Sequence, residues 1–511
     1  MTTTVLGAPA TGSSLSTRRV VGAVVVATVA LRLVLVSQPP HPDEAGYLMV
    51  ARAWHLGGPT LYGHYWVDRP PGLIGLYRIA SLVPWIPMIR VLTIPFVALF
   101  IVSAAWAAHQ VAGDRAARWS AVVAGALAVS PLLGTEVADG ELFAAPLVMF
   151  AVALTLKAVR RPGRPSYRLG FAAGLVAGLA VSVKQNFGDA ILFAIVLVVA
   201  SVVQGRLGRR EAAYLLGAGM AGSGLVVLTM VGYAIATGVG AHELWYDLFQ
   251  FRWQALGIGA LTDGHQRLVR AGGLAVSAVL SGIALVLLLP LREIWRRRGH
   301  GSPLAWAVGV TVAAESLSIA AGGGYWTHYL LQLAPMVALT AGVWVASIRP
   351  MRAVATLVAI SAVVALAGTA VIGSGESLAD QKVGRWVARA GRPGDTATVL
   401  YPREQLQLAT GMLSPYPYLW TLPLRARDPQ LTQLRALLRG PRAPTWVVLW
   451  RPIRSRYWHP HDPIKQVLAT RYHLFRHVCG RPRVLLHDGV RRTAPPGPSC
   501  GRTDIPLGAP R

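Results

Sequence analysis

The chain has 511 residues, of which 53% are hydrophobic and only 14% are charged, and its mean hydropathy is +0.47. Soluble domains usually carry about 25% charged residues, so the composition predicts a polytopic membrane protein and excludes an ordinary soluble enzyme. The formal net charge of +27 at first suggests nucleic-acid binding. The basic residues are spread over short loops and a C-terminal region, however, and we expect no nucleic-acid partner.

Residues 1–19 are mostly small and polar, and we expect a disordered cytoplasmic N-terminus. Apolar runs close to the roughly 20 residues needed to span a bilayer then follow as far as residue 372. We interpret the first run as a retained signal anchor, because it is long and lacks a convincing cleavage site. The eleven predicted spans are Val20–Ser37, Ile89–Ala108, Trp119–Leu133, Leu142–Ala158, Leu169–Val183, Ala190–Gln204, Ala213–Ala236, Gly272–Leu291, Pro303–Ala321, Leu330–Ser347 and Ala353–Ile372.

The distribution of charge predicts the orientation in the membrane. With the N-terminus inside, 18 Lys and Arg residues fall in the inner segments and eight fall in the outer loops. The positive-inside rule favours this arrangement, and eleven spans then place the C-terminus outside. Most loop carboxylates also fall on the outer side. We therefore expect a multi-pass protein of the plasma membrane whose chemistry faces away from the cytoplasm.

Residues 373–511 differ in composition and predict a small extracytoplasmic α/β domain. This region holds 22 Lys and Arg residues against eight Asp and Glu residues, so it could contact anionic lipid heads, or it could simply be a solvated basic surface. Two helices are predicted by periodicity, Ser377–Ala390 and Pro429–Arg439. The buried strands predicted are residues 396–401, 445–450 and 483–487. Cys479 and Cys500 lie on the oxidising side, where a disulfide is plausible.

The first outer loop, residues 38–88, holds adjacent carboxylates directly after the first span. Charge near hydrocarbon is costly, so Asp43 and Glu44 are candidates for chemistry. The alternative is structural, with Asp43 as the N-cap of a helix over Glu44–Leu56. The interpretation of the other ionisable residues depends on this loop.

A second acidic group, Glu136, Asp139 and Glu141, lies at the outer junction of spans three and four. It is at the same depth as the first loop, so packing could bring the two groups into one site. Such carboxylates could act as a base, or Asp43, Glu44 and Asp139 could hold a divalent cation. The alternative is that Asp139 caps the helix that starts at Glu141.

Three cationic candidates lie at outer ends of spans: Arg69, Lys184 and His328. Arg and Lys at this depth suit a phosphate held at the bilayer surface. The alternatives are that each side chain reaches outward to the lipid heads, or that Arg69 pairs with Asp68. Glu315 lies inside the ninth span and needs an internal partner.

The loop from His41 to Tyr77 resembles the first outer loop of the membrane-embedded C-type (GT-C) glycosyltransferases, in the branch of the protein-O-mannosyltransferases and the lipid A aminoarabinose transferases. The matching features are Asp43-Glu44, Tyr47 and Arg69-Pro70-Pro71, although Lys is frequent in the family where Arg69 stands here. The segment His328–Pro335 and the acids around Asp139 are similar to the family, less specifically.

The resemblance implies an inverting glycosyltransferase that moves a sugar from a polyprenyl-phosphate donor to a hydroxyl acceptor on a glycan, lipid or protein, with membrane lipids around it. No cofactor is required, and a divalent metal is compatible with the chemistry. The implied catalytic residues are Asp43, Glu44 and Asp139. The implied donor-phosphate residues are Arg69, Lys184 and His328, and the implied substrate contacts are Tyr47, Glu141 and Tyr329. The alternatives are a lipid or sugar transporter and a non-catalytic scaffold of the same fold.

Overall fold

The structure is a computed structural model that describes residues 14–55, 57–160, 164–262, 264–296, 301–345, 349–372, 375–400, 403–450, 463–480 and 482–500. Most of this part of the chain is helical, and a small sheet lies near the C-terminus. The predicted fold class, a helical polytopic protein with an α/β region at its end, is confirmed.

The helices that precede the C-terminal region begin and end as follows: α1 (Leu15–Val36), α2 (Pro42–Arg52), α3 (Pro71–Ala80), α4 (Met88–Val129), α5 (Gly140–Arg160), α6 (Arg164–Val183), α7 (Asp189–Val203), α8 (Arg209–Ala236), α9 (Ala241–Trp245), α10 (Phe251–Thr262), α11 (Gly264–Leu280), α12 (Ile283–Arg296), α13 (Pro303–Ala321), α14 (Ala334–Val345) and α15 (Arg349–Ile372). Short 3-10 turns cover Pro131–Leu133 and Thr327–Gln332, and a π-helical turn over Tyr246–Gln250 joins α9 to α10.

Within the described ranges, seven helices are long and apolar enough to cross a membrane: α1, α4, α5, α6, α8, α13 and α15. Helix α4 has 42 residues and covers two of the predicted spans, and a kink inside it separates the two helical segments. The kink is at Ala112 and Gly113, and Gly113 has φ +75°, a conformation that favours glycine. Helices α7 and α14 are apolar but shorter. The count of eleven spans stays a prediction.

Small residues allow two of the membrane helices to pack closely. A Cβ atom added to Gly174 of α6 would lie 1.9 Å from the Gly219 carbonyl oxygen of α8, and one added to Gly222 would lie 2.2 Å from the Phe171 oxygen. Helices in lipid associate through such close backbone approach, since lipid tails offer no hydrophobic drive between helices. The α6–α8 pair helps to fix the C-terminal end of α6, which Lys184 directly follows.

The C-terminal region contains a four-stranded sheet with the order β1-β2-β4-β3. Strands β1 and β2 are parallel, and the other neighbouring pairs are antiparallel. Its elements are α16 (Gly375–Ala390), β1 (Ala397–Leu400), α17 (Glu404–Thr410), α18 (Thr421–Arg427), α19 (Thr432–Arg439), β2 (Trp446–Leu449), α20 (Pro463–Arg471), β3 (Tyr472–His477) and β4 (Arg483–His487).

The three predicted strands are present as β1, β2 and β4, and both predicted helices are present as α16 and α19. Strand β3 was not predicted, because it is an edge strand in which His473, Arg476 and His477 remain exposed. The sequence made a disulfide between Cys479 and Cys500 plausible without establishing it, and the structure contains this bond, with the two Cα atoms 5.4 Å apart.

Strands β1 and β2 of the sheet are buried on both faces. Trp446 and Val448 pack on the side of α16, whereas Val447 and Leu449 pack on the other side, as the alternation of a strand requires. The apolar residues around Val447 and Leu449 also include Trp66 of the first loop and Phe251 of α10. The C-terminal region is therefore packed onto the first outer loop and α10.

Candidate active site

Helix α2 opens the first outer loop, and it begins earlier than predicted. His41 is the N-cap, Pro42 is the first helical residue, and the Glu44 carboxylate accepts a hydrogen bond from the His41 backbone N–H at 2.8 Å. A carboxylate three residues after the N-cap that reaches back to it stabilises the first turn. The interpretation of Asp43 as the N-cap of a helix over Glu44–Leu56 is therefore wrong, and its side chain makes a different contact.

Glu44 is buried, and Arg90 of α4 binds its carboxylate with two hydrogen bonds. Arg90 donates from Nη2 to Oε2 at 2.6 Å and from Nε to Oε1 at 2.8 Å, while the Ala138 backbone N–H donates to Oε1 at 2.9 Å. Burial acts to raise the pKa of Glu44, but the Arg90 charge and these hydrogen bonds outweigh it and hold the pKa below its usual value. We call Glu44, Arg90 and the Ala138 backbone the Glu44 junction, because they tie α2 to α4 and to the loop before α5.

Asp43, the neighbouring carboxylate, contacts the C-terminal region. Its Oδ1 accepts a hydrogen bond from Trp420 Nε1 at 2.9 Å. One turn further along α2, the buried Tyr47 ring packs against Tyr77 and Trp420, each with a ring-centroid separation of 5.4 Å. Asp43 itself is only half-buried. One oxygen of the Asp43 carboxylate is thus fixed by a hydrogen bond beside these aromatic rings, and the residue remains partly accessible.

Arg69 lies at the other end of the loop, directly before Pro70 and Pro71. Its Nη1 donates to Asp68 Oδ1 at 2.8 Å, and its guanidinium carbon lies 5.6 Å from the centroid of the Tyr47 ring. The second oxygen of Asp68 contacts Arg252 Nη2, also at 2.8 Å. Burial acts to lower the pKa of Arg69, but the Asp68 charge outweighs it, so the pKa is raised and the guanidinium is charged.

The alternative interpretation of Arg69 was that it pairs with Asp68. This ion pair is present, but it is not an exposed surface salt bridge. Only 15% of the Arg69 side chain and 11% of the Asp68 side chain are accessible. Since Asp68 also contacts Arg252, one carboxylate is shared by two guanidinium groups. The site therefore has an excess of fixed positive charge at this end of the loop.

The acidic group before α5 meets the two other cationic candidates. Lys184 Nζ forms a short ion pair with Glu141 Oε1. His328 Nδ1 lies 3.5 Å from Asp139 Oδ2, and His328 Nε2 lies 3.6 Å from Glu141 Oε1. We call these four residues the carboxylate cluster. The suggestion that the Asp139 side chain caps α5 is wrong, since neither of its oxygens accepts a hydrogen bond within the described residues.

Burial shifts the pKa values of three residues of the carboxylate cluster, His328, Asp139 and Lys184. It lowers the pKa of His328 to about 4, so this imidazole is neutral near pH 7 and supplies no positive charge to a phosphate. It also raises the pKa of Asp139 well above its usual range, and repulsion from Asp43 and Glu141 adds to that rise. Burial lowers the pKa of Lys184, although the Glu141 charge opposes this. Lys184 and His328, both predicted to bind phosphate, thus face carboxylates.

The predicted residues of the two ends of the loop and of the carboxylate cluster lie within one electrostatic field. The charge of Asp43 acts to raise the pKa values of Asp139 and Arg69, and the charge of Arg69 acts to lower the pKa of Lys184. Tyr329 joins them, with its ring 5.5 Å from Lys184 Nζ and 5.0 Å from the His328 ring. The first loop and the acids before α5 are therefore brought together, as their common depth predicts.

Two predicted acids lie apart from this group. Glu136 is half-buried, and the charges of Arg32 and Arg90 act to lower its pKa. Glu315 of α13 was expected to have an internal partner, but neither of its carboxylate oxygens has a hydrogen-bond partner among the residues that the structure describes. The group that acts on it electrostatically is another carboxylate, Asp189.

The carboxylate cluster has the atoms needed to bind a metal ion. Asp139, Glu141 and His328 each offer one ligand atom, and these atoms lie within 4.8 Å of one another. Both oxygens of Asp139 and Oε2 of Glu141 have no hydrogen-bond partner in the described part of the chain. Carboxylate oxygen with imidazole nitrogen suits Zn²⁺ or Mn²⁺. These residues fit one divalent cation, and the set differs from the predicted Asp43, Glu44 and Asp139.

Sequence reasoning missed three residues of the site: Arg90, Arg252 and Trp420. Arg90 and Arg252 were counted only as positive charges of outer loops. Trp420 lies 377 residues from its partner Asp43. The PYPYLWTLP segment around Trp420 is rich in aromatics and proline, but no local pattern links it to the first loop.

The fold and the site together define a polytopic membrane protein with a carboxylate and an arginine at the two ends of its first loop and a C-terminal region packed against that loop. No protein-family model matches the chain, and no curated protein matches it in sequence. Solved structures do match it in fold.

ArnT from Cupriavidus metallidurans bound to undecaprenyl phosphate is similar to this chain with a TM-score of 0.59 and 16% identity, over 93% of this chain and 98% of that one. The Archaeoglobus fulgidus oligosaccharyltransferase in complex with Zn and sulfate has a TM-score of 0.58 and 13% identity, over 91% of this chain and 73% of that one. The archaeal oligosaccharyltransferase AglB from Archaeoglobus fulgidus, with an inhibitory peptide and a dolichol-phosphate, has a TM-score of 0.57 and 14% identity, over 97% and 76%. The chain therefore has the GT-C glycosyltransferase fold, as the first loop predicts.

Proposed function

We propose that this protein is an inverting glycosyltransferase that moves a sugar from a polyprenyl-phosphate donor to a hydroxyl acceptor. The observation that carries the proposal is the juxtaposition of an accessible carboxylate, Asp43, with the half-buried, charged Arg69 on opposite ends of one loop. Transfer from such a donor needs a base for the acceptor and a cation for the leaving phosphate. Both are present in a GT-C fold, and solved structures of that fold include one bound to undecaprenyl phosphate.

The reaction is a single displacement. The acceptor hydroxyl oxygen attacks the anomeric carbon, and its proton passes to the Asp43 carboxylate as the new C–O bond forms. The bond from the anomeric carbon to the phosphate oxygen breaks, and its electron pair leaves with the polyprenyl phosphate. Because attack occurs opposite the leaving group, the configuration inverts. Arg69 stabilises the charge that grows on the leaving phosphate.

The remaining residues of the predicted site have supporting roles. Glu44 and Arg90 hold the first loop in place, since their charges already neutralise each other. Lys184 pairs with Glu141, and Tyr47 and Tyr329 form aromatic surfaces beside Arg69 and Lys184. Asp139, Glu141 and His328 would hold a divalent cation, which would supply positive charge to the site. The displacement itself depends on Asp43 and Arg69.

The proposed site faces outward from the plasma membrane. The excess of Lys and Arg on the predicted inner side supports this orientation. The disulfide between Cys479 and Cys500 supports it too, since disulfides persist outside the cytoplasm. A reporter fused after Arg511 and active only outside the cytoplasm should score positive. A cytoplasmic result would place the C-terminal region and the site on the other side.

The test of the function is transfer by the purified protein in nanodiscs, with a panel of radiolabelled polyprenyl-phosphate sugars and a membrane extract as acceptor. We expect Asp43→Asn to lower transfer by about 10²–10⁴-fold, the usual contribution of a general base. Its melting temperature and its binding of unlabelled polyprenyl phosphate should stay close to the parent values. The matched control is Asp488→Asn, which removes an exposed carboxylate paired with His473. Asp43→Asn transfer within a few-fold of the parent would exclude Asp43 as the base.

A further inference from the structure

A segment of the C-terminal region, Ser414–Trp420, lies along the first outer loop. The Ser414 backbone N–H donates to the Tyr65 hydroxyl at 2.9 Å, and the Trp66 N–H donates to the Pro417 carbonyl at 3.1 Å. Trp66 and Tyr418 form an isolated parallel bridge. These backbone contacts fix the position of the segment relative to the loop, and the segment ends at Trp420.

Trp420 makes two contacts with α2. Its Nε1 donates to Asp43 Oδ1 at 2.9 Å, and its ring lies against Tyr47. Its six-membered ring also occupies the space above Gly46, where an added Cβ atom would lie 2.1 Å from Trp420 Cζ2. Glycine at position 46 is therefore what allows the indole to reach the carboxylate. The position of the indole is determined on one side by α2 and on the other by the segment that carries it.

We propose that Trp420 is a positioning residue for Asp43, so that the C-terminal region completes the active site. This inference rests on the function proposed above. A carboxylate on the first turn of a helix can rotate about its side-chain bonds, and a base acts only when it lies within hydrogen-bond reach of the acceptor proton. The indole N–H binds one oxygen of Asp43 and so orients the other for the acceptor. Trp420 itself touches neither the donor nor the transferred proton.

The experiment replaces the indole N–H and leaves the shape of the ring. In Trp420→Phe the hydrogen bond is lost, and in a protein with 3-benzothienylalanine at position 420 a sulfur atom replaces only the N–H. The control is Trp446→Phe, which removes the same kind of bond in the same region, from Trp446 Nε1 to Asp395 Oδ2 at 3.1 Å. Each protein is assayed for kcat, for KM of the donor, and for binding of unlabelled polyprenyl phosphate.

We expect both replacements at position 420 to lower kcat about tenfold or more, as the loss of a hydrogen bond to a charged group implies, with donor binding unchanged. On an Asp43→Asn background, Trp420→Phe should have no further effect, because the two residues act as a unit. The Trp446→Phe control should keep the parental kcat. If Trp420→Phe does not fold, the benzothienyl protein decides, since it keeps the packing.

Two results overturn the inference. One is a kcat at position 420 equal to that of the Trp446 control. The other is a loss of activity from Trp420→Phe that is the same with and without Asp43. A different result would contradict the proposed function itself, namely an Asp43→Asn variant that retains transfer. An essential Asp43 with a silent Trp420 therefore removes only the role of Trp420.

Discussion

The Glu44 junction and the carboxylate cluster are neighbours, because Ala138 belongs to the first and Asp139 begins the second. Both are buried, and both contain acids and bases. In the junction, each oxygen of Glu44 is bound by Arg90, and backbone N–H groups add further hydrogen bonds. In the cluster, three carboxylate oxygens have no hydrogen-bond partner among the described residues.

This difference separates structural from functional charge. A buried polar atom without a partner costs about 1–3 kcal/mol, so folding alone would not favour three of them in one place. A ligand that binds there would satisfy them. The saturated junction, by contrast, offers nothing to a ligand, although its Glu44 is next to Asp43 in the sequence and was predicted to share its role.

The largest expected effect follows from breaking the junction. Arg90→Met leaves the Glu44 carboxylate buried without its cation, and removing one partner of a buried pair costs about 3–5 kcal/mol. We expect a strongly lowered melting temperature in detergent and poor recovery of monodisperse protein. The double variant Glu44→Gln, Arg90→Met should recover part of the loss, because no buried charge remains.

The control for this prediction is Arg252→Met, which removes a guanidinium from a carboxylate that still has a second one, Arg69. It should cost much less. If Arg90→Met melted like the parent and yet lost all transfer, the junction would belong to the catalytic machinery, and the contrast with the cluster would not hold.

A second prediction concerns the free oxygens of the cluster. We expect the dialysed protein to bind one Zn²⁺ or Mn²⁺ ion, measured by calorimetry and by elemental analysis, and Asp139→Asn to weaken binding by more than about 100-fold. Changes to groups that merely support metal ligands typically cost 10–100-fold, and loss of a ligand should cost more. Glu136→Gln is the matched control, since Glu136 is a half-buried carboxyl of the same loop outside the metal-binding set. Equal affinity in both variants would show that Asp139 is not a ligand.

The features that could be predicted from the sequence are those carried by nearby residues. The apolar runs predicted the membrane helices, and Asp43, Tyr47 and Arg69-Pro70-Pro71 predicted the fold, because they lie within one loop. The helix start was missed even though Pro42 is typical of a first helical position. Strand β3 was missed because most of its side chains are exposed and several are polar.

The partners of the site residues could not be predicted, because they come from distant parts of the chain. Arg90 lies 46 residues from Glu44, and Trp420 lies 377 residues from Asp43. His328 illustrates the same limit. Its residue type suggested a cation, but burial lowers its pKa to about 4, and burial depends on how the whole fold packs.

The smallest expected effect concerns Arg69. Unlike Glu44 of the junction it has no partner of its own, and unlike the free oxygens of the cluster it is not unpaired, because it shares Asp68 with Arg252. We expect Arg69→Ala to weaken binding of polyprenyl phosphate by at least about tenfold, since a charge-assisted hydrogen bond contributes roughly 1.5–3 kcal/mol. Arg69→Lys should retain measurable transfer, because it keeps the charge but loses the planar fork. Binding is measured on the purified variants with unlabelled polyprenyl phosphate, so that turnover does not enter the result.

Arg252→Ala is the control for this comparison, since it removes the other guanidinium bound to Asp68 and leaves Arg69 paired. If Arg69 binds the donor phosphate, Arg69→Ala should lose affinity and Arg252→Ala should not. If Arg69 serves only to neutralise Asp68, the two variants should behave alike, with normal donor affinity and a small loss of stability. In that case the phosphate is bound by another group. Lys184 is the next residue to test, because it is the one Lys or Arg residue of the carboxylate cluster and its ammonium group pairs with Glu141.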